Sequence, residues 1–257
     1  MKIATWNVNS IRARLSRVVP WLQEHSPDVV CLQETKVVDD QFPKELLEDQ
    51  GYNIVVSGQK TYNGVAVLAQ HQIENVITEL PDGSDADDKE KRVMGCCVED
   101  FMILNLYVPN GREVGHNHFY YKLEWMKRVR QLLEESYDPD EKVVVTGDFN
   151  ITFDDRDVHD PERYHEKIHC STPERDALRD LMSFGLHDGL RKFHEEGGIY
   201  TWWDYKTRGF SRDEGLHIDH FLMSQKALDA CDSVWVDKKA RDGKSPSDHA
   251  PVLATFR

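Results

Sequence analysis

The chain has 257 residues, of which 39 % are hydrophobic and 30 % are charged, and its formal net charge is −14. No segment approaches the roughly 18 apolar residues of a membrane-spanning helix, so we expect no membrane association. The acidity disfavours a protein that coats nucleic acid through lysine and arginine, but it does not exclude an enzyme that approaches nucleic acid through a bound metal ion. Much of the excess acid lies in predicted loops, notably Asp82 to Glu90.

Cysteine content and the N-terminus suggest a compartment. The five cysteines form no CxxC pair and are odd in number, which predicts free thiols in a reducing environment. The N-terminal segment MKIATWNVNS is typical of a strand and carries no long apolar signal region. We therefore expect a cytoplasmic protein. The length is compatible with a single domain over residues 1–257.

In chain order, short apolar runs rich in β-branched residues predict buried strands. They cover residues 3–6, 28–33, 52–56, 64–69, 94–98, 101–108, 142–147, 218–223, 234–236 and 251–256. Two helices interrupt them. Asn117–Tyr137 places five apolar residues on one face, and Pro173–Phe184 follows Thr172 as the predicted N-cap. Strand-rich layers covered by helices fit this order better than a simple parallel βαβ array.

Polar residues lie at or next to the ends of the predicted strands. They are Asn7, Glu34, Tyr107, Asp148, Asn150, Asp219, Asp248 and His249. A lone aspartate after a strand is more often a turn or cap residue than part of a site, so the inference depends on the whole set. Strand ends can meet at one edge of a layered fold. Their oxygen-rich side chains favour Mg²⁺ or Mn²⁺ over a metal that prefers thiolates.

Longer strings make the pattern specific. The sequence resembles the exonuclease III and abasic (AP) endonuclease branch of the endonuclease/exonuclease/phosphatase superfamily. The matching strings run from residue 5 to residue 252: TWNVNSIRAR, LQETKVVDDQFP, SGQKTYNGVAVL, NLYVPNG, TGDFNI, STPERDAL, YTWWDYKTRGF, LHIDHFL and SPSDHAPV. The resemblance implies a four-layered α/β sandwich, in which two packed mixed β-sheets are flanked by helices and the site lies at one edge.

The resemblance also implies roles for the strand-end residues. Glu34 is expected to be the principal metal ligand, with Asn7 and Asp248 near the same ion. Asp148, Asn150 and His249 are expected to form an adjoining cluster that can hold a second ion. Asp148 suits a general base, and Asp219 is expected to orient His249 and favour its protonated form. Tyr107 and Asn150 are expected to orient the phosphate. Which carboxylate is the base and which is a ligand stays open.

Double-stranded DNA with 3′ ends, nicks or abasic sites is the partner that the resemblance implies, bound by a monomer. One of the adjacent Trp202 and Trp203 is expected to be buried and the other to face substrate, since neighbours on a strand point to opposite sides. The expected DNA-binding residues are Arg12, Tyr62, Asn63, Asn110, His169, Trp202, Lys206 and Arg208. The expected activity is 3′→5′ exonucleolytic cleavage in base excision repair, together with 3′-phosphatase and AP endonuclease activity. A predominantly AP endonucleolytic enzyme is the alternative.

One string favours a different chemistry. His165 to His169 reads HEKIH and matches the H-E-x-x-H signature of zinc metalloproteases, which requires both histidines on one face of a stable helix. Prolines at 161 and 173 leave a short window with little apolar support, so we expect a loop instead. The histidines of that loop would either contact DNA and narrow the pocket or be solvated. If they narrow the pocket, terminal cleavage should outweigh abasic-site incision.

Overall fold

The computed structural model describes residues 1–81 and 90–257, so of the predicted acidic loop Asp82–Glu90 only Glu90 lies within the described residues. The strands there are β1 (Lys2–Asn7), β2 (Val29–Gln33), β3 (Asn53–Ser57), β4 (Val65–Ala69), β5 (Glu74–Ile77), β6 (Val93–Val98), β7 (Phe101–Tyr107), β8 (Lys142–Asp148), β9 (Leu186–Asp188), β10 (Asp219–Ser224), β11 (Cys231–Val236) and β12 (Val252–Phe256). The α-helices there are α1 (Ile11–His25), α2 (Lys44–Glu48), α3 (Asn117–Ser136), α4 (Pro161–Tyr164), α5 (Thr172–Met182) and α6 (Gln225–Ala230).

The strands form two mixed six-stranded sheets. The first has the order β11-β12-β1-β2-β4-β3 and the second the order β5-β6-β7-β8-β10-β9. The parallel pairs, β1 with β2 and β7 with β8, are each connected through a helix, α1 in one case and α3 in the other. This agrees with the general need of parallel strands for a long crossover.

Three apolar clusters produce the layers. The largest lies between the sheets and contains Ile3, Val29, Ile103, Val144 and Phe221. A second cluster packs α3 and α5 on the outer face of the second sheet, and a third packs α1 on the outer face of the first. Each sheet is therefore buried on both faces, which explains why its strands have continuous apolar sequences instead of alternating ones. The predicted four-layered α/β sandwich is confirmed.

Several predicted boundaries differ from the structure. β5 and β9 were not predicted, because both are short edge strands that lack a continuous apolar run. The prediction of Thr172 as helix cap was wrong. Ser171 is the N-cap of α5, since Glu174 reaches back to its backbone N–H in a capping box. Among the described residues, no helix is both long and apolar enough to cross a membrane.

The topology directs the polar strand ends to one edge of the sandwich. Parallel pairing places the carboxyl end of β1 beside that of β2, and Tyr107 of β7 opposite Asp148 of β8. Antiparallel pairing then places Asp219, the first residue of β10, opposite Asp148. The side chains of Asn7 at the end of β1 and Asp148 at the end of β8 are hydrogen-bonded, so the two sheets meet at this edge.

Candidate metal and phosphate site

Glu34, Asp148 and His249 form the centre of this edge. One potential ligand atom from each lies within 4.8 Å of the others. Asn7 connects the two carboxylates, because its side-chain amide donates to Glu34 Oε1 at 2.8 Å and to Asp148 Oδ2 at 2.9 Å. Asp148 and His249 are buried, whereas Glu34 is partly exposed. The centre is thus open to a ligand on the side of Glu34.

Unusual backbone conformations aim these side chains at the centre. Glu34 and Asn150 both have a φ of 51°, in the left-handed region that non-glycine residues seldom adopt. Gly147, just before Asp148, has a φ of 139°, and a Cβ there would lie 1.9 Å from the carbonyl oxygen of Leu106. The glycine of the GDFN string is therefore required by the close approach of β7 to β8.

His249 is held by two aspartates. Its Nδ1 lies 2.9 Å from Asp219 Oδ2, and its Nε2 lies 3.7 Å from Asp148 Oδ2. Burial alone would lower the pKa of His249, but the carboxylates of Asp219 and Asp148 outweigh it and raise that pKa to about 10. The imidazolium therefore persists at neutral pH, with its Nδ1–H donating to Asp219.

The pKa of Asp148 lies well above that of an ordinary surface carboxylate. Burial raises its pKa to about 7, His249 opposes the rise, and the neighbouring carboxylates of Asp219 and Glu34 add to it. Its Oδ1 accepts a hydrogen bond from the backbone N–H of Asn150 at 2.9 Å. A carboxyl group that gains and loses a proton near neutral pH suits proton transfer.

Asp248 lies beside the centre and makes different contacts. Its Oδ1 accepts from Asn9 at 2.8 Å and its Oδ2 accepts from the Trp202 indole at 3.1 Å. Asn9 in turn accepts from Lys36 Nζ at 2.6 Å, and that ammonium also lies 2.7 Å from Glu34 Oε2. Asp248 and Glu34 are therefore connected through Asn9 and Lys36.

Tyr107 and the two asparagines complete the rim. The Tyr107 side chain is hydrogen-bonded to Glu34, and burial raises its pKa well above the ordinary value, so the phenol stays protonated. The guanidinium of Arg92 lies 4.6 Å above its ring. Asn110 donates to Asn150 Oδ1 at 3.2 Å, and Asn150 donates to the carbonyl oxygen of Val108 at 3.0 Å. These residues present neutral donors beside the carboxylates.

The donor set fits a divalent metal ion that prefers oxygen ligands. The carboxylates of Glu34, Asp148, Asp219 and Asp248 converge here, opposed by Lys36 and protonated His249. With every carboxylate ionised, about two negative charges remain uncompensated, which is the charge that one Mg²⁺ or Mn²⁺ neutralises. In addition, the buried Asp219 Oδ1 has no hydrogen-bond partner within the described part of the chain.

Comparison with known proteins identifies the family. The profile of the Endonuclease/Exonuclease/phosphatase family matches residues 4–249. The chain belongs to this family. It is 33 % identical to exodeoxyribonuclease III of Haemophilus influenzae over 100 % of both chains. Its structure is similar to that of the 3′ phosphatase NExo from Neisseria bound to product DNA hairpin, with a TM-score of 0.96, 42 % identity, and 100 % and 99 % of the two chains covered. It is also similar to an AP endonuclease from Archaeoglobus fulgidus, with a TM-score of 0.94, 35 % identity and the same coverage.

The other expected DNA-binding residues differ in exposure. Asn63 is buried in the loop that contacts the backbone of Lys36, and the adjacent Tyr62 is 67 % exposed. Arg12 lies exposed on α1, and Lys206 and Arg208 are exposed in the segment after Trp203. All of these side chains except that of Asn63 are accessible to a ligand as large as a nucleic acid.

The expected difference in burial between the two adjacent tryptophans is observed. Trp203 is fully buried, and Trp202 is partly exposed. Trp202 forms an isolated bridge with His249, and its ring centroid lies 6.4 Å from that of His169. The exposed member of the pair therefore contributes to the wall of the site.

The HEKIH segment is a loop, so the metalloprotease alternative is wrong. Helix α4 ends at Tyr164, and Glu166 and His169 have φ values of 52° and 72° that no α-helix contains. His165 is exposed, whereas His169 is buried with its Nδ1 2.6 Å from the carbonyl oxygen of Asn150. Of the two loop histidines, only His165 is solvated, and the buried His169 is not.

Sequence reasoning missed two groups of residues. Asn9 and Lys36 each lie two positions after a predicted site residue, in the strings WNVNS and ETK, but were not singled out. Lys122 and Glu174 were missed because one was assigned only to an amphipathic helix and the other only to a helix start. Both of these are fully buried. A buried charge on a predicted helix leaves no local signal in the sequence.

Proposed function

We propose that this protein is a metal-dependent DNA phosphodiesterase of the exonuclease III type that removes nucleotides from 3′ ends during base excision repair. The observation that carries the proposal is the cluster of Glu34, Asp148 and His249 with the pair of His249 and Asp219 behind it. The Haemophilus and Neisseria relatives, named as exodeoxyribonuclease III and 3′ phosphatase, support cleavage at 3′ ends. The Archaeoglobus relative supports AP endonuclease activity as well.

In this proposal, Glu34 is the principal ligand of Mg²⁺ or Mn²⁺, and Asn7 and Asp248 lie near the same ion. Asp148 and Asn150 are the candidate holders of a second ion, which His249 could join only as a neutral imidazole. A bound divalent ion supplies positive charge to the phosphate oxygens and to the departing oxyanion. The remaining chemistry belongs to the side chains of the chain itself.

Asp148 is the proposed general base for the attacking water, because its pKa of about 7 lets it accept a proton near neutral pH and hold it. His249 donates to a non-bridging phosphoryl oxygen as an imidazolium, and Asp219 keeps it protonated. Asn150 donates a neutral hydrogen bond that orients the phosphate, and Tyr107 does so once its single O–H is released from Glu34. Each such donor stabilises charge that develops in the transition state.

The preferred DNA structure depends on the pocket wall. An abasic site must swing out of the duplex, which costs a few kcal/mol and needs room for the sugar. The buried imidazole of His169 lies against the Asn150 carbonyl and near Trp202, and we propose that it narrows the pocket that such a sugar would need. We therefore favour terminal cleavage over abasic-site incision. Predominant incision is the alternative, which the Archaeoglobus relative supports.

The wider proposal covers how the protein is organised in the cell. We propose a monomeric, single-domain enzyme over residues 1–257 that acts in the cytoplasm. All five cysteines are free, which suits a reducing compartment. The exposed Arg12, Tyr62, Asn110, Lys206 and Arg208 are proposed to contact the DNA. The buried Asn63, whose side chain donates to Gln59, is proposed to hold the loop that carries Tyr62.

A nuclease assay tests the proposal. The protein is incubated with duplex oligonucleotides bearing a recessed 3′ end, a nick, a 3′ phosphate or an abasic analogue, with Mg²⁺ or Mn²⁺ and with excess chelator. We expect hydrolysis with metal and none with chelator, and the two metals are compared at equal concentration. Full activity in chelator would contradict the metal dependence. DNA retention without turnover would identify a binding module instead. Asp148→Asn, a near-isosteric change, serves as the inactive control.

A further inference from the structure

A buried ion pair lies behind the site and is not used by the proposed chemistry. Lys122 projects from α3 and Glu174 from the first turn of α5, and both side chains are 0 % exposed. Removing two charges from water is costly, and apolar residues of similar volume often stabilise a fold better. Stability therefore gives a weak reason for the pair, and its contacts give a better one.

The Lys122 ammonium uses all three of its protons on fixed acceptors. It donates to the carbonyl oxygen of Asn150 at 2.7 Å, to that of Asn110 at 3.3 Å, and to the carboxylate of Glu174. Asn110 and Asn150 come from the two loops that carry neutral donors at the rim of the site. One side chain of α3 thus connects the backbones of both loops.

The Glu174 carboxylate connects a third loop. Its Oε1 accepts from the backbone N–H of His169 at 3.2 Å, and its Oε2 accepts from the N–H and the hydroxyl of Ser171. The ring of His169 also contacts this network, because its Nδ1 lies 2.6 Å from the same Asn150 carbonyl oxygen that Lys122 contacts. A carbonyl can only accept, so Nδ1 carries a proton.

The loops that the pair connects hold uncommon backbone conformations. Asn150 and His169 have φ values of 51° and 72°. Such conformations persist only where surrounding contacts determine them, and they concentrate at functional sites. Within the described residues, the hydrogen bonds from Lys122 and Glu174 reach the backbone of both positions.

We propose that Lys122 and Glu174 are positioning residues that fix Asn110, Asn150 and His169 relative to the metal centre, and so set both the cleavage rate and the choice between a 3′ end and an abasic site. The inference rests on the proposed function. Neither residue touches substrate. Their effect acts through the two asparagines and the imidazole that line the pocket.

Two neutralising variants test the pair. Glu174→Gln is nearly isosteric and keeps one acceptor oxygen, and Lys122→Met keeps the length of the buried side chain. On a recessed 3′ end, we expect kcat to fall about 10- to 100-fold in each, the scale of a small misplacement of reacting groups, with KM nearly unchanged. The ratio of abasic incision to terminal cleavage should change as well. Lys127→Met, which removes an exposed pair with Glu124 on the same helix, is the matched control and should alter neither quantity.

The ¹⁵N chemical shifts of the His169 ring provide a readout that does not depend on activity. They should show a protonated Nδ1 in the wild type and a mixture of tautomers in both variants. Folded variants with wild-type kcat, selectivity ratio and ring shifts would overturn the inference. So would loss of the fold in both variants, since the pair would then serve the whole structure. An inactive wild type would contradict the proposed function, and the ring shifts would still decide on the pair.

Discussion

Replacing His169 by glycine tests whether this side chain selects the DNA structure that is cleaved. The imidazole is 8 % exposed, and its ring centroid lies 6.4 Å from that of Trp202. Removing it opens the pocket wall without touching Glu34, Asp148 or His249. If crowding costs an extrahelical sugar about 1.4–3 kcal/mol, incision at an abasic site should rise roughly 10- to 100-fold relative to terminal cleavage.

The structure also predicts that the variant remains folded. The φ of 72° at His169 costs a non-glycine residue about 1–2 kcal/mol, and glycine relieves that cost. The lost hydrogen bond from Nδ1 to Asn150 is worth about 1 kcal/mol. These two contributions nearly cancel, so the net change in the free energy of unfolding should be a destabilisation set by the space that the buried ring leaves. Thermal denaturation in parallel with the kinetics checks this.

The assay compares initial rates on a recessed 3′ end and on an internal abasic analogue within the same duplex. His165→Gly is the matched control, because His165 is exposed in the same loop, and its rate ratio should equal that of the wild type. His169→Asn retains a residue that tolerates a positive φ and should give an intermediate ratio. An unchanged ratio in His169→Gly, with the fold intact, would refute the crowding argument and place selectivity elsewhere.

Other substitutions test the remaining roles. Asp148→Asn should remove about 2–4 kcal/mol of transition-state stabilisation, which lowers kcat/KM roughly 30- to 1000-fold, and should leave the melting temperature unchanged. Near-normal turnover would contradict its role as base. Asp219→Asn should lower the pKa of His249, so the alkaline limb of the kcat/KM profile should move to lower pH. An unchanged alkaline limb would show that the pair of His249 and Asp219 does not control the cleavage rate. Because the native pKa of His249 is about 10 and the unfolded value is lower, its protonation stabilises the fold fully below the unfolded pKa and ceases to do so as pH rises through about 10. Denaturant unfolding across pH should show that loss in the wild type and a smaller one in Asp219→Asn.

Much of the architecture was accessible from local sequence. Continuous apolar runs predicted ten of the strands that the structure contains, since strands buried on both faces need no polar alternation. The 3.6-residue periodicity predicted α3 to within one residue of its end. The edge strands β5 and β9 escaped prediction because an edge position requires little apolar sequence.

For the site, too, the sequence predicted the residues but not the distances between them. Strand-end polarity and the family strings selected Asn7, Glu34, Asp148 and His249 from the sequence, because each stands where a buried strand meets solvent. Their mutual distances depend on contacts between segments more than a hundred residues apart, such as the hydrogen bond between Asn7 of the first sheet and Asp148 of the second. No local pattern specifies such a contact.

The sequence by itself determined the strand and helix pattern, the oxygen-rich set of residues and the family resemblance, because these depend on residue type and short spacing. Only the tertiary structure decided that His169 is buried while His165 is exposed, and that Lys122 reaches Glu174. Both outcomes depend on how separate elements pack. Burial is a property of the surroundings of a side chain, and those surroundings are assembled from segments that lie far apart along the chain.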